Sequence, residues 1–235
     1  VVYARSPHKQ RLAAIQKKAD DILHEIQLED FGVERSKQQR QPDNNSDFLI
    51  QLKVSLLEIR PTIWRRIQIK DCSLGDLHGH IQTAMGWQNC HMHEFIIDGE
   101  RYGMSMEDAF GFGDEIKNES EVRLSELLHK GGKRFRFHYV YDFGDDWRHE
   151  ILFEGYPPLD KAQKYPLCSE GERAYPPEDI GGPWGYAEFL DAISDPKHEQ
   201  HDDFVEWTGE FHPDDFDPKK ATREMKKGLP DWRDI

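Results

Sequence analysis

The stretch Phe135-Arg-Phe-His-Tyr-Val-Tyr-Asp-Phe-Gly-Asp-Asp-Trp-Arg-His-Glu-Ile-Leu-Phe-Glu154 decides the fold. Its first half places an aromatic residue at every second position, which is the period of a β-strand with one buried face: Phe135, Phe137, Tyr139, Tyr141 and Phe143. Gly144 and its neighbouring aspartates predict a turn, since these residues favour turn backbone. Residues 147–154 then predict the partner strand, so this stretch indicates an antiparallel hairpin.

The segments around this hairpin extend the same pattern. Alternating apolar residues predict a strand from Phe48 to Leu56, and Ile63 to Lys70 predicts a second, with Ile63, Ile67 and Ile69 on one face. A helix is expected from Leu74 to Met85, a hairpin over 92–102 around Asp98-Gly99, and a short helix over 125–130. Helices are also expected over 186–193, 198–207 and 218–227. This order predicts an α+β fold with a mostly antiparallel, mixed sheet and packed helices.

The first 47 residues differ from the rest of the chain. Residues 7–30 carry apolar side chains at helical spacing, whereas residues 34–47 contain none and read as a linker. We therefore expect an N-terminal helical extension over 1–33, a linker over 34–47, and an α+β domain over 48–235 with an acidic helical C-terminal part.

Composition narrows the classes of function. The net charge is −14, and residues 169–217 hold 15 Asp or Glu against Arg173 and Lys197. Such a region repels phosphate backbones, so it is a poor nucleic-acid face. It is either a solvated helical surface or a docking face for a basic protein partner. No apolar run approaches the ~20 residues that span a bilayer, no secretory leader is visible, and the three cysteines are widely spaced. We expect a cytoplasmic protein with no membrane association.

Several long motifs in order resemble one family. They are Leu57-Glu-Ile-Arg-Pro-Thr-Ile-Trp-Arg-Arg66, His91-Met-His-Glu-Phe95, Tyr141-Asp-Phe-Gly-Asp-Asp-Trp-Arg-His-Glu-Ile151 and Pro176-Pro-Glu-Asp-Ile-Gly-Gly-Pro-Trp-Gly-Tyr186. From about Phe48 to Trp207 the chain resembles the proteins named after the third open reading frame of a root-inducing plasmid, which are also labelled transposon passenger or TnpR-like proteins. The resemblance implies an α+β domain from a mobile-element context, and it implies no reaction. Many members resemble Cys-x(6)-Cys-x(4)-Cys from the position of Cys168, where this chain has Tyr175 and Ile180.

The resolvase label does not fit the residues. Serine resolvases open with Tyr-x-Arg-x-Ser, whereas this chain has Tyr3-Ala-Arg-Ser-Pro7, with proline in the place of the nucleophile. Ser6-Pro7 is better interpreted as a helix start.

The 141–149 turn and the 168–186 loop form the first candidate site, because both concentrate Gly, Pro, Trp and carboxylates. We expect them to meet in space and to act as the working face of a binding or interaction module. The candidate binding residues are Asp142, Asp145, Trp147, His149, Glu178, Asp179, Gly181, Gly182, Trp184 and Tyr186.

A metal site is a second interpretation of the same region. Histidine, carboxylate and thiolate ligands suit zinc or manganese, and the candidate ligands are His91, His93, Asp142, His149 and Cys168. The alternative is structural: Asp142 and Asp145 would cap turns, His93 and His149 would make core hydrogen bonds, and Cys168 would be a small buried residue. For hydrolysis, the carboxylates Asp142, Asp145, Glu178 and Asp179 could supply an acid–base pair, or could bind a divalent ion with His149 as in a metal-dependent hydrolase. No nucleophile motif or phosphate-cradling loop is present, so the sequence favours binding over catalysis.

A third interpretation rests on a basic, aromatic segment. Arg60, Trp64, Arg65 and Arg66 form a candidate basic surface, as expected of a DNA-associated accessory protein.

Overall fold

The computed structural model describes residues 48–104, 116–131 and 135–229. All of them belong to the second of two compact units, Val1–Arg40 and Gln41–Ile235. The predicted N-terminal helix and linker lie outside the described residues, so the three-part division of the chain stays a prediction.

An eight-stranded sheet forms the centre of the described part. Its strands are β1 (Leu49–Leu56), β2 (Trp64–Lys70), β3 (His93–Ile97), β4 (Glu100–Gly103), β5 (Lys117–Asn118), β6 (Arg136–Tyr141), β7 (Trp147–Gly155) and β8 (Leu167–Glu172). Their order across the sheet is β5-β4-β3-β6-β7-β1-β2-β8. Neighbouring strands are antiparallel except for the parallel pair β4 and β5, so the predicted mixed α+β fold is confirmed.

The deciding hairpin lies in the middle of the sheet, where β6 pairs with β7 and Tyr141 lies opposite Trp147. The strand ends one aromatic residue earlier than predicted. Asp142 and Asp146 adopt the left-handed backbone, with φ of 57° and 56°, and the amide of Asp146 donates to the carbonyl of Asp142. Phe143 therefore lies in the turn and is half exposed, rather than continuing the buried face of the strand.

Five α-helices are described: α1 (Leu74–Met85), α2 (Leu124–Gly131), α3 (Gly182–Ser194), α4 (His201–Thr208) and α5 (Pro218–Lys227). Ser73 and Asp76 form a capping box at the start of α1, and Gly86 ends it with a φ of 106° that a side chain would disfavour. Helix α5 packs against β8 and α1. Within the described part of the chain, no helix combines the length and apolar character that crossing a bilayer requires.

Strand β8 was not predicted, because residues 167–172 carry no alternating apolar pattern. Its amides and carbonyls are paired instead by the neighbouring strand β2, from Trp64 opposite Glu172 to Gln68 opposite Leu167. Tertiary pairing thus makes a strand from a segment whose own sequence reads as a loop. Cys168 lies in this strand and is buried.

Arg65 lies on the buried face of β2, and the prediction that it belongs to an exposed basic surface is wrong. Its side chain is 1% exposed, because the alternation of the strand points it inward with Ile67 and Ile69. The guanidinium donates to the carbonyls of Ala84 (3.1 Å), Trp64 (2.9 Å), Glu172 (2.9 Å) and Arg173 (2.8 Å). The ring of Phe216 covers it at 3.9 Å.

These contacts make Arg65 a structural link between two segments that are distant in sequence. One is the end of α1, and the other is the chain where it leaves β8. Burial lowers the pKa of the guanidinium to about 10, so the group is still protonated at neutral pH. Its N–H groups therefore satisfy the carbonyl of Ala84 in a buried bond and three further carbonyls in partly buried bonds.

Replacing this guanidinium should destabilise the fold strongly. Arg65→Ala leaves three carbonyls outside its own strand without their donor, and we expect unfolding to become easier by about 3 kcal/mol or more. Urea unfolding measures the change, with Arg60→Ala as the matched control. Arg60 is exposed, so its loss should cost less than about 0.5 kcal/mol. Equal effects of the two substitutions would contradict the structural role of Arg65.

Candidate functional site

The 141–149 turn and the 168–186 loop meet, as expected from their composition. The amide of Gly181 donates to Asp145 Oδ2 at 3.1 Å. Gly182 packs so closely on this turn that an added Cβ would overlap the carbonyl oxygen of Asp145, and its φ of 68° also favours glycine. The start of α3 therefore rests directly on the turn of the central hairpin.

A third segment, the 87–92 loop between α1 and β3, completes this surface. The indole of Trp87 donates to the carbonyl of Pro176 (3.0 Å), and the amide of Gln88 donates to Glu178 Oε1 (2.9 Å). The amide of Asp142 donates to the carbonyl of Met92 (2.8 Å). We call the surface formed by residues 87–92, 142–146 and 176–184 the motif face.

Four polar side chains converge at the centre of the motif face. His91 Nε2 lies 3.0 Å from Asp179 Oδ1, 3.6 Å from Asp142 Oδ2 and 3.9 Å from Glu178 Oε2. Cys90 lies beside this group, and its Sγ can share an ion with His91 and Glu178. Histidine, two types of carboxylate and a thiol are thus brought together from three separate segments.

Tyr141 supports the cluster from the buried side. Its hydroxyl donates to Glu178 Oε1 at 3.1 Å and accepts from the amide of Cys90 at 3.2 Å. Burial and then the Glu178 carboxylate raise the pKa of this phenol, so it stays protonated and able to donate. Burial also raises the pKa of the Cys90 thiol, and the Glu178 carboxylate adds to that shift.

Three of the predicted metal ligands lie elsewhere in the fold. His93 is buried in β3, where its Nε2 bonds Glu119 at 2.8 Å and its ring stacks on that of His78 at 3.4 Å. Cys168 is held in β8, with its Sγ against the carbonyl of Glu170. The expectation that His91 and His93 share one site fails because β3 begins only at His93, after the loop that carries His91.

His149 is a core residue rather than a ligand of the cluster. It is fully buried in β7, its Nδ1 contacts the carbonyl of Tyr139 at 3.3 Å, and Trp87 packs edge-on against its ring. Burial lowers the pKa of His149 to about 4. Its Nε2 has no hydrogen-bond partner among the described residues, as is also true of His91. Unlike His91, however, His149 belongs to none of the groups of side chains there that could share an ion, so it fills the core without a ligand role.

The remaining predicted binding residues divide between core and surface. Trp147 and Tyr186 are buried in the core. Asp145, Gly181 and Gly182 hold the turn against α3, as described above. Trp184 is 86% exposed in the first turn of α3, and the exposed fractions of Phe143 and Met92 are 49% and 46%. Phe143 and Met92 are not among the predicted binding residues, although each directly follows a residue of the cluster.

The predicted basic surface is largely neutralised. Arg66 forms ion pairs with Glu154 at 2.6 Å and with Glu170. The ring of Trp64 is covered by the Lys53 ammonium at 4.4 Å and by Arg66 at 5.2 Å. With Arg65 buried, only Arg60 keeps the exposed character that was predicted for all four residues. The interpretation as a DNA-binding face therefore loses its main support.

Because its buried histidines are neutral in the folded state, the protein should lose folding stability as the pH falls. An unfolded histidine gains a proton near pH 6.5, whereas His149 in the folded chain gains it only near pH 4. Stability is therefore full above pH 6.5 and is lost as the pH falls toward 4, by about 3 kcal/mol from this residue. Burial lowers the pKa of His78 to about 3, so it adds a loss of the same sign.

Urea unfolding at pH 7 and pH 4.5 tests this behaviour in His149→Phe. Because phenylalanine does not titrate, the variant should lose markedly less stability on acidification than the unmodified chain. The exposed His212 is the matched control, and His212→Gln should leave the pH dependence unchanged. If His149→Phe loses as much stability between pH 7 and pH 4.5 as the unmodified chain does, the attribution of that loss to His149 is wrong.

Comparison with known proteins gives the same family that the sequence motifs resemble. The family model described as plasmid pRiA4b ORF-3-like protein matches residues 49–220. The chain is 37% identical over 186 residues to the uncharacterized protein y4hQ of Sinorhizobium fredii, which covers 78% of this chain and 91% of that protein. The crystal structure of the protein of unknown function MM3350 from Methanosarcina mazei Go1 is similar, with a TM-score of 0.66 and 38% identity over 74% of this chain and 97% of that one. This chain therefore belongs to the plasmid pRiA4b ORF-3-like protein family.

Proposed function

We propose that the chain is a protein-interaction module whose motif face binds a basic segment of a partner protein. The observation that carries this proposal is the exposure of three large apolar side chains, Met92, Phe143 and Trp184, one on each of the three segments that form the motif face. Tryptophan and phenylalanine are typical anchors of protein interfaces because they bury much area with few rotatable bonds. A tryptophan that is 86% exposed gains most from being covered by a partner.

The backbone beneath these side chains is held in place before a partner arrives. Met92 accepts the amide of Asp142, Phe143 lies in the turn closed by Asp142 and Asp146, and Trp184 follows the Gly182 contact. A surface that is already ordered loses less conformational entropy on binding. The motif face is therefore suited to specific association.

Charge indicates the chemistry of the partner. The motif face carries Asp145, Asp146, Glu178 and Asp179, and residues 169–217 hold most of the surplus negative charge of the chain. Such a surface attracts lysine and arginine and repels phosphate groups. The best fit is a basic peptide segment with an apolar anchor residue, and a nucleic acid fits poorly.

The metal-dependent hydrolase remains the second candidate, and the convergence of His91 with three carboxylates favours it. An ion there would have carboxylates nearby to serve as acid or base. Zinc-dependent hydrolysis that is lost in Asp179→Asn would support this candidate over the interaction module.

Removing Trp184 should weaken peptide binding. The probes are fluorescent 12-residue peptides rich in lysine and arginine with one leucine or tryptophan, and fluorescence polarisation with the full chain measures their affinity. Since interface anchors are worth more than 1 kcal/mol, we expect Trp184→Ala to weaken binding by about 10-fold. Trp207→Ala is the matched control, because Trp207 is also exposed but lies on α4 outside the motif face.

Three results would contradict the proposal. One is equal binding by both tryptophan variants, the second is equal binding of acidic peptides, and the third is no binding of any basic peptide. Sedimentation of the unmodified chain tests whether a second copy of the chain, rather than a basic partner, binds the motif face. Self-association that is lost in Trp184→Ala would mean that the motif face binds a second copy of the chain, and it would overturn the basic partner.

A further inference from the structure

We infer that the motif face holds a divalent transition metal ion, best zinc, with His91, Asp142 and Asp179 as its protein ligands. This inference rests on the proposed function in that it assigns a metal to the same face. It goes beyond that function because a metal would fix the segments that present the apolar anchors.

The spacing of the ligand atoms fits a tetrahedral ion. Two ligands that each lie about 2.1 Å from a tetrahedral zinc are about 3.4 Å from one another. His91 Nε2 lies 3.0 Å from Asp179 Oδ1 and 3.6 Å from Asp142 Oδ2, on either side of that value. The candidate ligand atoms of these three residues all lie within 4.8 Å of one another, so one ion can reach all three.

The polar atoms around the site leave the right oxygens free. Asp142 Oδ1 accepts the amide of Gly144 at 2.9 Å, so Oδ2 is directed at His91. Glu178 Oε1 accepts from Gln88 and Tyr141, and Oε2 lies 3.3 Å from the Tyr141 hydroxyl and 3.9 Å from His91 Nε2, so Glu178 orients the cluster from outside the proposed ligand set. Hydrogen bonds that orient a ligating carboxylate in this way are the usual second layer of a metal site.

His91 supplies an observation that is independent of the carboxylates. The His91 side chain is 26% exposed, but its Nε2 atom is buried, and among the described residues this atom has no hydrogen bond of acceptable geometry, although Asp179 Oδ1 lies 3.0 Å away. A buried imidazole nitrogen without a well-aligned partner is costly. A metal ion placed among the oxygens would satisfy this nitrogen directly.

The charge of the cluster also favours a cation. Asp142, Glu178 and Asp179 each bring a carboxylate to within 4 Å of the same nitrogen. A divalent ion placed among these oxygens would offset their mutual repulsion. Imidazole as a ligand, with the Cys90 thiol within reach, favours zinc over magnesium or calcium, which prefer oxygen alone.

Three matched asparagine substitutions test the site. Asp142, Asp179 and Asp146 all have left-handed backbones, with φ of 57°, 57° and 56°, and asparagine tolerates that conformation. Asp142→Asn and Asp179→Asn each remove a ligand charge. Asp146→Asn makes the same change in the same turn at a residue that pairs with Arg148 instead. None of the three should disturb the fold, which near-ultraviolet circular dichroism of the metal-free chains checks.

Zinc affinity is measured by competition with a chromophoric chelator, using full chains purified without a metal-affinity tag. The unmodified chain should bind one zinc ion with micromolar or tighter affinity. Asp142→Asn and Asp179→Asn should each bind zinc at least about 10-fold more weakly, and Asp146→Asn should match the unmodified chain. Absence of stoichiometric zinc binding, or equal affinity in all three variants, would overturn the metal site and leave His91 in an ion pair.

The peptide titration separates this inference from the proposed function. If the chain binds basic peptides but shows no stoichiometric zinc binding, the metal site alone is overturned. Zinc binding that is weakened by Asp142→Asn and Asp179→Asn but not by Asp146→Asn, together with no peptide binding, would support the metal site and overturn the interaction module.

Discussion

The buried guanidinium of Arg65 is the interaction on which the rest of the structure depends. It connects the last turn of α1 to the chain leaving β8 through hydrogen bonds to Ala84, Glu172 and Arg173. The loop with His91 follows α1, and the loop with Glu178 and Asp179 follows β8. A charge that is costly to bury is offset here because it donates to four carbonyls at once, that of Ala84 in a buried bond, and these bonds hold the two loops near one another.

The central hairpin supplies the third part of the motif face. Because Asp142 and Asp146 adopt left-handed backbones, the turn is tight enough for α3 to begin against it, and only glycine fits at position 182. Tyr141 then links this turn to both loops through Glu178 and Cys90. The acidic cluster is thus a consequence of three backbone arrangements, each fixed by a few polar contacts, and it presents Phe143 and Trp184 at its rim.

Much of the fold could be predicted from the sequence, because period-two alternation and Gly or Asp turns are local signals. The contact between the 141–149 turn and the 168–186 loop was predicted from composition alone. The predicted exposure of Arg65 is wrong, although strand alternation alone places it on the same face as Ile67. The charge of an arginine favours an exposed position, and alternation overrides that preference here. His93, His149 and Cys168 were grouped with His91 by residue type. Their separation depends on where β3 and β8 begin, and tertiary pairing decides that.

The central claim is that the motif face is one preorganised site built around a metal-binding centre. Diffraction from crystals of the full chain grown with zinc, recorded on both sides of the zinc absorption edge, tests it most directly. The account predicts one anomalous peak about 2.1 Å from His91 Nε2, with Asp142 and Asp179 as further ligands. An empty cluster with His91 ion-paired to Asp179, or a peak at His93, His149 or Cys168, would contradict it.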